Sequence, residues 1–192
     1  MVTAFDGAAC ISHTTAEDLQ NWMSDKGIHS AKPFEINWFH LGADIENSIP
    51  TRGVPDNAVE FLAQLVQRPT FLMVGTVEPR KGHAQTLAAF ELLWAEGIDV
   101  DLIIVGKRGW DMAPFIEYLC QHSENGQRLF WFESISDEYL EKLYAASSCL
   151  IAASEGEVFG LPLIEAGQHG LPIMARGLRV FCEVAGENAV YC

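Results

Sequence analysis

The stretch Thr70–Gly106, TFLMVGTVEPRKGHAQTLAAFELLWAEGIDVDLIIVG, reads as one complete strand–helix–strand unit. Thr70–Val74 is a short apolar run stopped by Gly75, and Val100–Val105 is a second one, stopped by Gly106. Between them Leu87, Phe90, Leu93 and Trp94 recur at helical spacing through His83–Trp94, and Gly97 ends the pattern. Strands that are apolar on both faces and joined by a helix imply a parallel sheet with right-handed crossovers.

The alternation continues downstream. Pro114–Gln121 predicts a helix, Arg128–Phe132 a strand, and Asp137–Ala146 a helix with Ser136 as N-cap and Glu138 in its first turn. Cys149–Ala152 predicts a strand, Leu163–His169 a helix ending at Gly170, and Ile173–Ala175 a strand opened by Pro172. Val180–Val184 predicts a short helix and Ala189–Tyr191 one more strand. Phe61, Leu62 and Leu65 fit an amphipathic helix upstream of the first strong strand. The fold class is therefore α/β, a doubly wound parallel sheet. Ligands of such sheets bind off the carboxyl ends of the strands, where strand order reverses. Gly75, Gly106, Ser134–Ser136 and Ser154–Gly160 each follow a strand, so one rim is expected to collect them.

The first 50 or so residues differ in pattern. Ala8–His13 suggests a strand, Ala16–Met23 a helix capped by Thr14 or Thr15, and Phe34–Phe39 a further strand before the turn-rich Gly42–Pro55. A βα unit followed by an extended piece and a loop is what the tail of a preceding domain and its linker would give. With a last strand that nothing follows, the chain is expected to be cut at both ends. Trp94, Trp110 and Trp131 are expected to be packing residues, and His83 and His169 ordinary helix residues.

Composition bounds the function. Hydrophobic residues are 49% of the chain, enough for a buried core. The net charge of −14, from 12 basic and 26 acidic residues, argues against nonspecific nucleic-acid binding and against a polybasic membrane contact. A local phosphate site needs only a few placed cations, so it stays open. The five cysteines match neither a CxxC metal pair nor a disulfide scaffold, which fits reduced thiols in a cytoplasmic setting. No apolar run approaches the ~20 residues of a membrane span, and no signal peptide is visible.

Two clusters carry chemistry. In Ser154–Ala166, SEGEVFGLPLIEA, seven residues separate Glu157 from Glu165, and a Gly-Leu-Pro turn opens a helix between them. Ionised carboxylates accept hydrogen bonds from sugar hydroxyls. The N–H groups of Phe159, Gly160 and Leu161 near a helix N-terminus suit an anion. In Gly75–Gly82, GTVEPRKG, Arg80 and Lys81 at a loop-to-helix boundary could clamp a diphosphate. Taken singly, each cluster has a plainer explanation. Arg80 and Lys81 fit a solvated basic turn, Glu165 fits a helix dipole, and paired carboxylates also fit a glycosidase. A dinucleotide oxidoreductase is disfavoured because no GxGxxG follows a strand.

Together the clusters are more specific. Strand–GTVEPRKG followed by βα units and then EVFGLPLIEAGQHGLPI resembles the donor domain of retaining GT-B glycosyltransferases of group 1, also called family 4. SISDEYLEKLY (Ser134–Tyr144), Gly170-Leu171-Pro172 and FCEVAGENAVY (Phe181–Tyr191) extend the resemblance, which runs from about Asn37 to the end. Residues 1–30 are similar to the last βα unit of the acceptor domain, including the SxxT pattern at Ser12–Thr15. The implied division is 1–36 for the tail of the acceptor domain, 37–68 for the linker and lead-in, and 69–192 for the donor domain, truncated at its C-terminus.

The resemblance implies roles position by position. Glu157 would contact donor-sugar hydroxyls near the reacting carbon, and Lys81, with Arg80 beside it, would neutralise the departing diphosphate. Glu165 would bind the ribose hydroxyls. The N–H groups of Phe159, Gly160 and Leu161 would approach sugar and diphosphate, and Gly75 and Thr76 would border the phosphates. Ile135 would border the base with its backbone. The implied chemistry is transfer from a UDP- or GDP-sugar with retention and without an essential metal or cofactor, to a glycan or lipid-linked acceptor held by the absent domain. The EPRKG variant and the VAGENAVY ending look like mannosyltransferase-type members. The chain departs from the family at Val158, where many members have Gly, and at Thr76, where many have Arg. Both departures favour the alternative, a non-catalytic nucleotide-sugar-binding or interaction module of the same fold. A sugar-nucleotide epimerase would need catalytic acids absent from the sequence. Without the acceptor domain, the segment is expected to hold a donor rather than complete a transfer.

Overall fold

The computed structural model describes residues 5–28, 32–42 and 49–192. Positions 43–48 of the turn-rich segment lie outside the described residues.

The short apolar runs become strands β3 (Thr70–Val74), β4 (Asp101–Val105), β5 (Leu129–Phe132), β6 (Cys149–Ala152), β7 (Ile173–Ala175) and β8 (Ala189–Tyr191), with glycine closing the first two. They form one parallel sheet in the order β5-β4-β3-β6-β7-β8. The order runs one way from β3 to β5 and the other way from β6 to β8. The reversal between β3 and β6 is the switch point of a doubly wound sheet.

Alternate residues of the central strands feed two cores. Leu72, Ile103, Val105, Leu150 and Ile173 pack on one face beneath helices α2 (Ala58–Leu65), α5 (Asp137–Ala146), α6 (Leu161–Gln168) and α7 (Arg179–Ala185). Met73, Leu102 and Ile104 pack on the other beneath α3 (His83–Ala95) and α4 (Ala113–Gln121). Coverage on both sides explains why every residue of β4 is buried. Trp94 packs as expected and donates from Nε1 to the Val100 carbonyl, 2.8 Å. Trp110 does not pack. It is 64% exposed on the loop after β4, next to Asp111 at φ +55.

The upstream residues form β1 (Gly7–Cys10), α1 (His13–Asp25) and β2 (Glu35–Trp38), with β1 and β2 pairing in parallel as a separate two-stranded sheet. The N-cap of α1 is Ser12, rather than Thr14 or Thr15. Ser12 is extended at φ −153, so its Oγ accepts from Thr15 N at 3.1 Å, while Thr14 and Thr15 lie in the first turn. α6 begins at Leu161, two residues before the expected start, because Gly160 at φ +100 serves as N-cap and Pro162 fits the first turn. Among the described residues no helix is long and apolar enough to cross a membrane.

Candidate functional site

The loops after β3 and β6 meet across the switch point. Pro79–Lys81 form a 3-10 turn that ends at Gly82, and Gly82 opens α3. Glu155 N donates to the Arg80 carbonyl at 2.7 Å, and Arg80 Nη1 donates to the Gly156 carbonyl at 2.9 Å. These bonds fasten the β6 loop to the β3 loop and set Glu157 over Lys81.

Lys81 Nζ donates to Glu157 Oε2 at 2.5 Å, Arg80 Nη1 lies 3.3 Å from both carboxylate oxygens, and Ser154 Oγ donates to Oε2 at 3.3 Å. Arg80 divides its guanidinium, with Nη2 2.6 Å from Glu78 Oε1. The Glu157 and Lys81 side chains are only 9% and 17% exposed, so the pair is sheltered from solvent screening. Burial pushes the Glu157 carboxyl up, but the hydrogen bond and charge of Lys81, joined by Arg80, outweigh it and hold the group below its usual range. Gly75 lies against the Lys81 chain, since a Cβ there would stand 3.7 Å from Lys81 Nζ.

The cleft lined by Lys81, His83, Ser154, Glu157, Gly160 and Leu163 encloses about 20 Å³, room for one water. The cations and the carboxylate thus hold each other in the described state. Among the described residues, no turn or loop hydrogen bond uses the N–H groups of Phe159, Gly160 and Leu161. Phe159 is itself buried, with its ring 5.7 Å from that of His40.

Glu165 has a different partner. It accepts a hydrogen bond from the hydroxyl of Tyr144 on α5, 2.6 Å. Tyr144 is buried and stacks flat on His169 at 5.4 Å, while burial and the Glu165 charge push its phenol far above the usual range. Glu165 is thereby oriented by a locked neighbour. Ile135 sits partly buried just after β5, beside Ser136, whose Oγ donates to the Gly53 carbonyl. Thr76 is exposed and its Cγ2 faces Gly109 of the β4 loop.

Three residues of the neighbourhood escape a sequence reading. Tyr144 has no local signal for its link to Glu165. His83 is 2% exposed with no partner for Nδ1 among the described residues, and burial, reinforced by the Lys81 charge, lowers its imidazole to about 4, so it is neutral. Glu183 on α7 accepts from His13 N (2.7 Å), Thr14 N (2.8 Å), Thr14 Oγ1 (2.7 Å) and the His40 ring (2.7 Å). Among the described residues no group of three His, Cys, Asp or Glu side chains is placed to hold a metal ion.

Burial works to raise the Glu183 carboxyl, but His40, Thr14 and His13 together pull it down to about 2. A carboxyl depressed in the folded state contributes stability above its ordinary value of 4.5, and this is lost as pH falls toward 2. Acidification across that window is expected to loosen α1 from α7. Thermal unfolding measured against pH should show a Glu183→Gln variant less sensitive in that window, and an unchanged slope would refute the assignment.

The family model described as "Glycosyl transferases group 1" matches residues 58–190. The chain is 51% identical over 189 residues to the serotype-specific mannosyltransferase WbdA of Escherichia coli, covering 97% of this chain and 23% of that protein. It therefore spans about a quarter of the length of that relative. Among solved structures, trehalose 6-phosphate synthase from Burkholderia multivorans superposes with TM-score 0.74 at 13% identity, over 100% of this chain and 49% of that one. Anabaena HepE, solved with UDP and glucose, superposes with TM-score 0.69 at 16% identity, over 100% and 50%.

Proposed function

The chain belongs to the group 1 glycosyl transferases of GT-B fold, with mannosyltransferase relatives, and from that premise we propose that it binds a nucleoside-diphosphate sugar for glycosyl transfer with retention. The observation that carries the reading is the meeting of Arg80 and Lys81 with Glu157 at the switch point. A departing diphosphate gains negative charge, and cations aimed at it stabilise the transition state. Glu157 takes the sugar hydroxyls once Lys81 exchanges its carboxylate for phosphate. Glu165, held by Tyr144, keeps acceptor capacity for ribose hydroxyls. Phe159, Gly160 and Leu161 offer N–H groups, Gly75 and Thr76 line the phosphate approach, and the Ile135 backbone borders the base. Lys81 and Arg80 supply the positive charge, so the reading needs no essential metal.

In this reading residues 1–36 belong to the tail of an acceptor domain, 37–68 to a linker and lead-in, and 69–192 to the donor domain. Support comes from the separate β1–β2 sheet, although β2 itself spans the first boundary. The acceptor is a glycan or lipid-linked glycan held mainly outside this chain, and the setting is cytoplasmic. The similarity to mannosyltransferases favours a GDP-sugar.

A thermal-shift panel of GDP, UDP and ADP tests the donor. A ligand at ~100 times its Kd adds about 2.7 kcal/mol of stability, and no response to any of the three would overturn the reading. Glu165→Ala is expected to cost about 1.5–3 kcal/mol of GDP affinity and to erase discrimination between GDP and 2′-deoxy-GDP. If calorimetry finds that discrimination intact, Glu165 does not read the ribose. A non-catalytic binding module is the second reading, favoured by exposed Thr76 and Val158 where many members of the family have Arg and Gly. GDP-mannose bound but never turned over by the complete polypeptide would select it.

A further inference from the structure

The loop that carries Glu157 is held from two sides. On the donor side Arg80 and Lys81 bind Gly156 and Glu157. On the other side the carbonyl of Val158 accepts from Ser12 Oγ at 2.9 Å and from Thr15 Oγ1 at 3.2 Å, across more than 140 residues of sequence. Ser12 has no solvent exposure, and its hydroxyl also accepts Thr15 N, so the N-cap of α1 and the grip on Val158 are one structure. Glu183 fixes the start of α1 through the N–H groups of His13 and Thr14, and it fixes His40, whose ring packs on Phe159. Val158 is 53% exposed, so packing of its side chain does little to hold the loop.

Resting on the nucleotide-sugar reading, we propose that Ser12, Thr15 and Glu183 are positioning residues that keep Glu157 at the sugar after a diphosphate draws Lys81 and Arg80 away. The side-chain part of the donor-side tether is made of the same cations that a diphosphate recruits, while the backbone bond from Glu155 N to the Arg80 carbonyl holds only the stretch before Glu157. When they turn to phosphate, the bonds to Gly156 and Glu157 weaken and the grip on Val158 remains. Without it the loop keeps its cations for the diphosphate but no longer presents Glu157 in a fixed place. Nucleotide affinity and sugar affinity are therefore controlled by different ends of one loop.

The test uses the whole chain with Ser12→Ala and Thr15→Val combined, and Thr15→Ser as the conservative control. In the ligand-free protein, amide hydrogen exchange at Val158–Gly160 is expected to accelerate tenfold or more, with β3 and α5 unchanged. Calorimetry with GDP and GDP-mannose is expected to give a GDP Kd within about twofold of the parent, while the gain in affinity from the mannosyl group falls about tenfold. Thr15→Ser alone should leave both readouts at the parental values. Unchanged exchange at Val158–Gly160 overturns the proposal whether or not any nucleotide binds. A parent chain that binds neither ligand overturns the donor reading and with it the sugar role. Parent binding with an intact mannosyl gain in the variant overturns the positioning role alone. If the double variant does not fold, Glu183→Gln with the same two readouts decides.

Discussion

Lys81→Ala is expected to lower nucleoside-diphosphate affinity about ten- to hundredfold, the ~1.5–3 kcal/mol of one charge-assisted contact. In a complete polypeptide competent for transfer, the turnover cost should be larger, about 2.7–4 kcal/mol, because the leaving group carries more charge in the transition state than in the bound donor. Arg80 cannot substitute. Its side chain is 46% exposed and already engaged by Glu78, so its field is shared and screened. Arg80→Ala should accordingly cost less than Lys81→Ala.

The Lys81 variant also changes Glu157. The carboxyl is depressed only because Lys81 and Arg80 together outweigh burial. With Lys81 gone, burial gains and the pKa rises. In the parent Glu157 stays ionised below its usual range. In the variant, binding of a sugar that needs the carboxylate is expected to fail at a higher pH than in the parent. The checks are titration of Glu157 by carboxyl-carbon NMR and GDP calorimetry at several salt concentrations. An unmoved Glu157 titration, or a GDP affinity with parental magnitude and salt slope, would refute the pairing.

The sheet was legible because its signals are local. TFLMV, CLIA and AVY are apolar runs with turn residues at their ends, and the structure assigns those strands to the residues expected. The two loops of the candidate site were legible for the same reason, since both follow strands directly. What the sequence could not show is partnership at long range. All three types can cap a helix, Ser somewhat better than Thr; Glu183, about 170 residues on, takes Thr14, and Thr15 N donates to Ser12 Oγ. Arg80, Lys81 and Glu157 were each expected to face a ligand. In the structure they face one another, because opposite charges on adjoining loops pair. Trp110 misled because a tryptophan is usually packed, while a backbone at positive φ next to it is invisible in composition.

The pairing of the two loops depends on a glycine, and the second large effect is expected there. Gly82 has φ +74, and a Cβ on it would meet the Ala153 carbonyl oxygen at 2.4 Å and the Ala153 Cβ at 2.9 Å. Gly82→Ala therefore adds left-handed strain of ~1–2 kcal/mol to overpacking of ~1–3 kcal/mol, together about 2–5 kcal/mol of stability. The obstruction is backbone and cannot swing aside, so relief comes from parting the β3 and β6 loops, which carry Lys81 and Glu157. Gly97 supplies the control, with φ +80 and open space, since a Cβ there would meet no atom within 4 Å. Gly97→Ala should show the strain without the crowding and leave Glu157 undisturbed. Urea unfolding of the two variants separates the contributions, and GDP calorimetry asks whether loop separation reaches the site. Equal destabilisation by Gly82→Ala and Gly97→Ala would mean that the close approach of Gly82 to Ala153 does not constrain the loops.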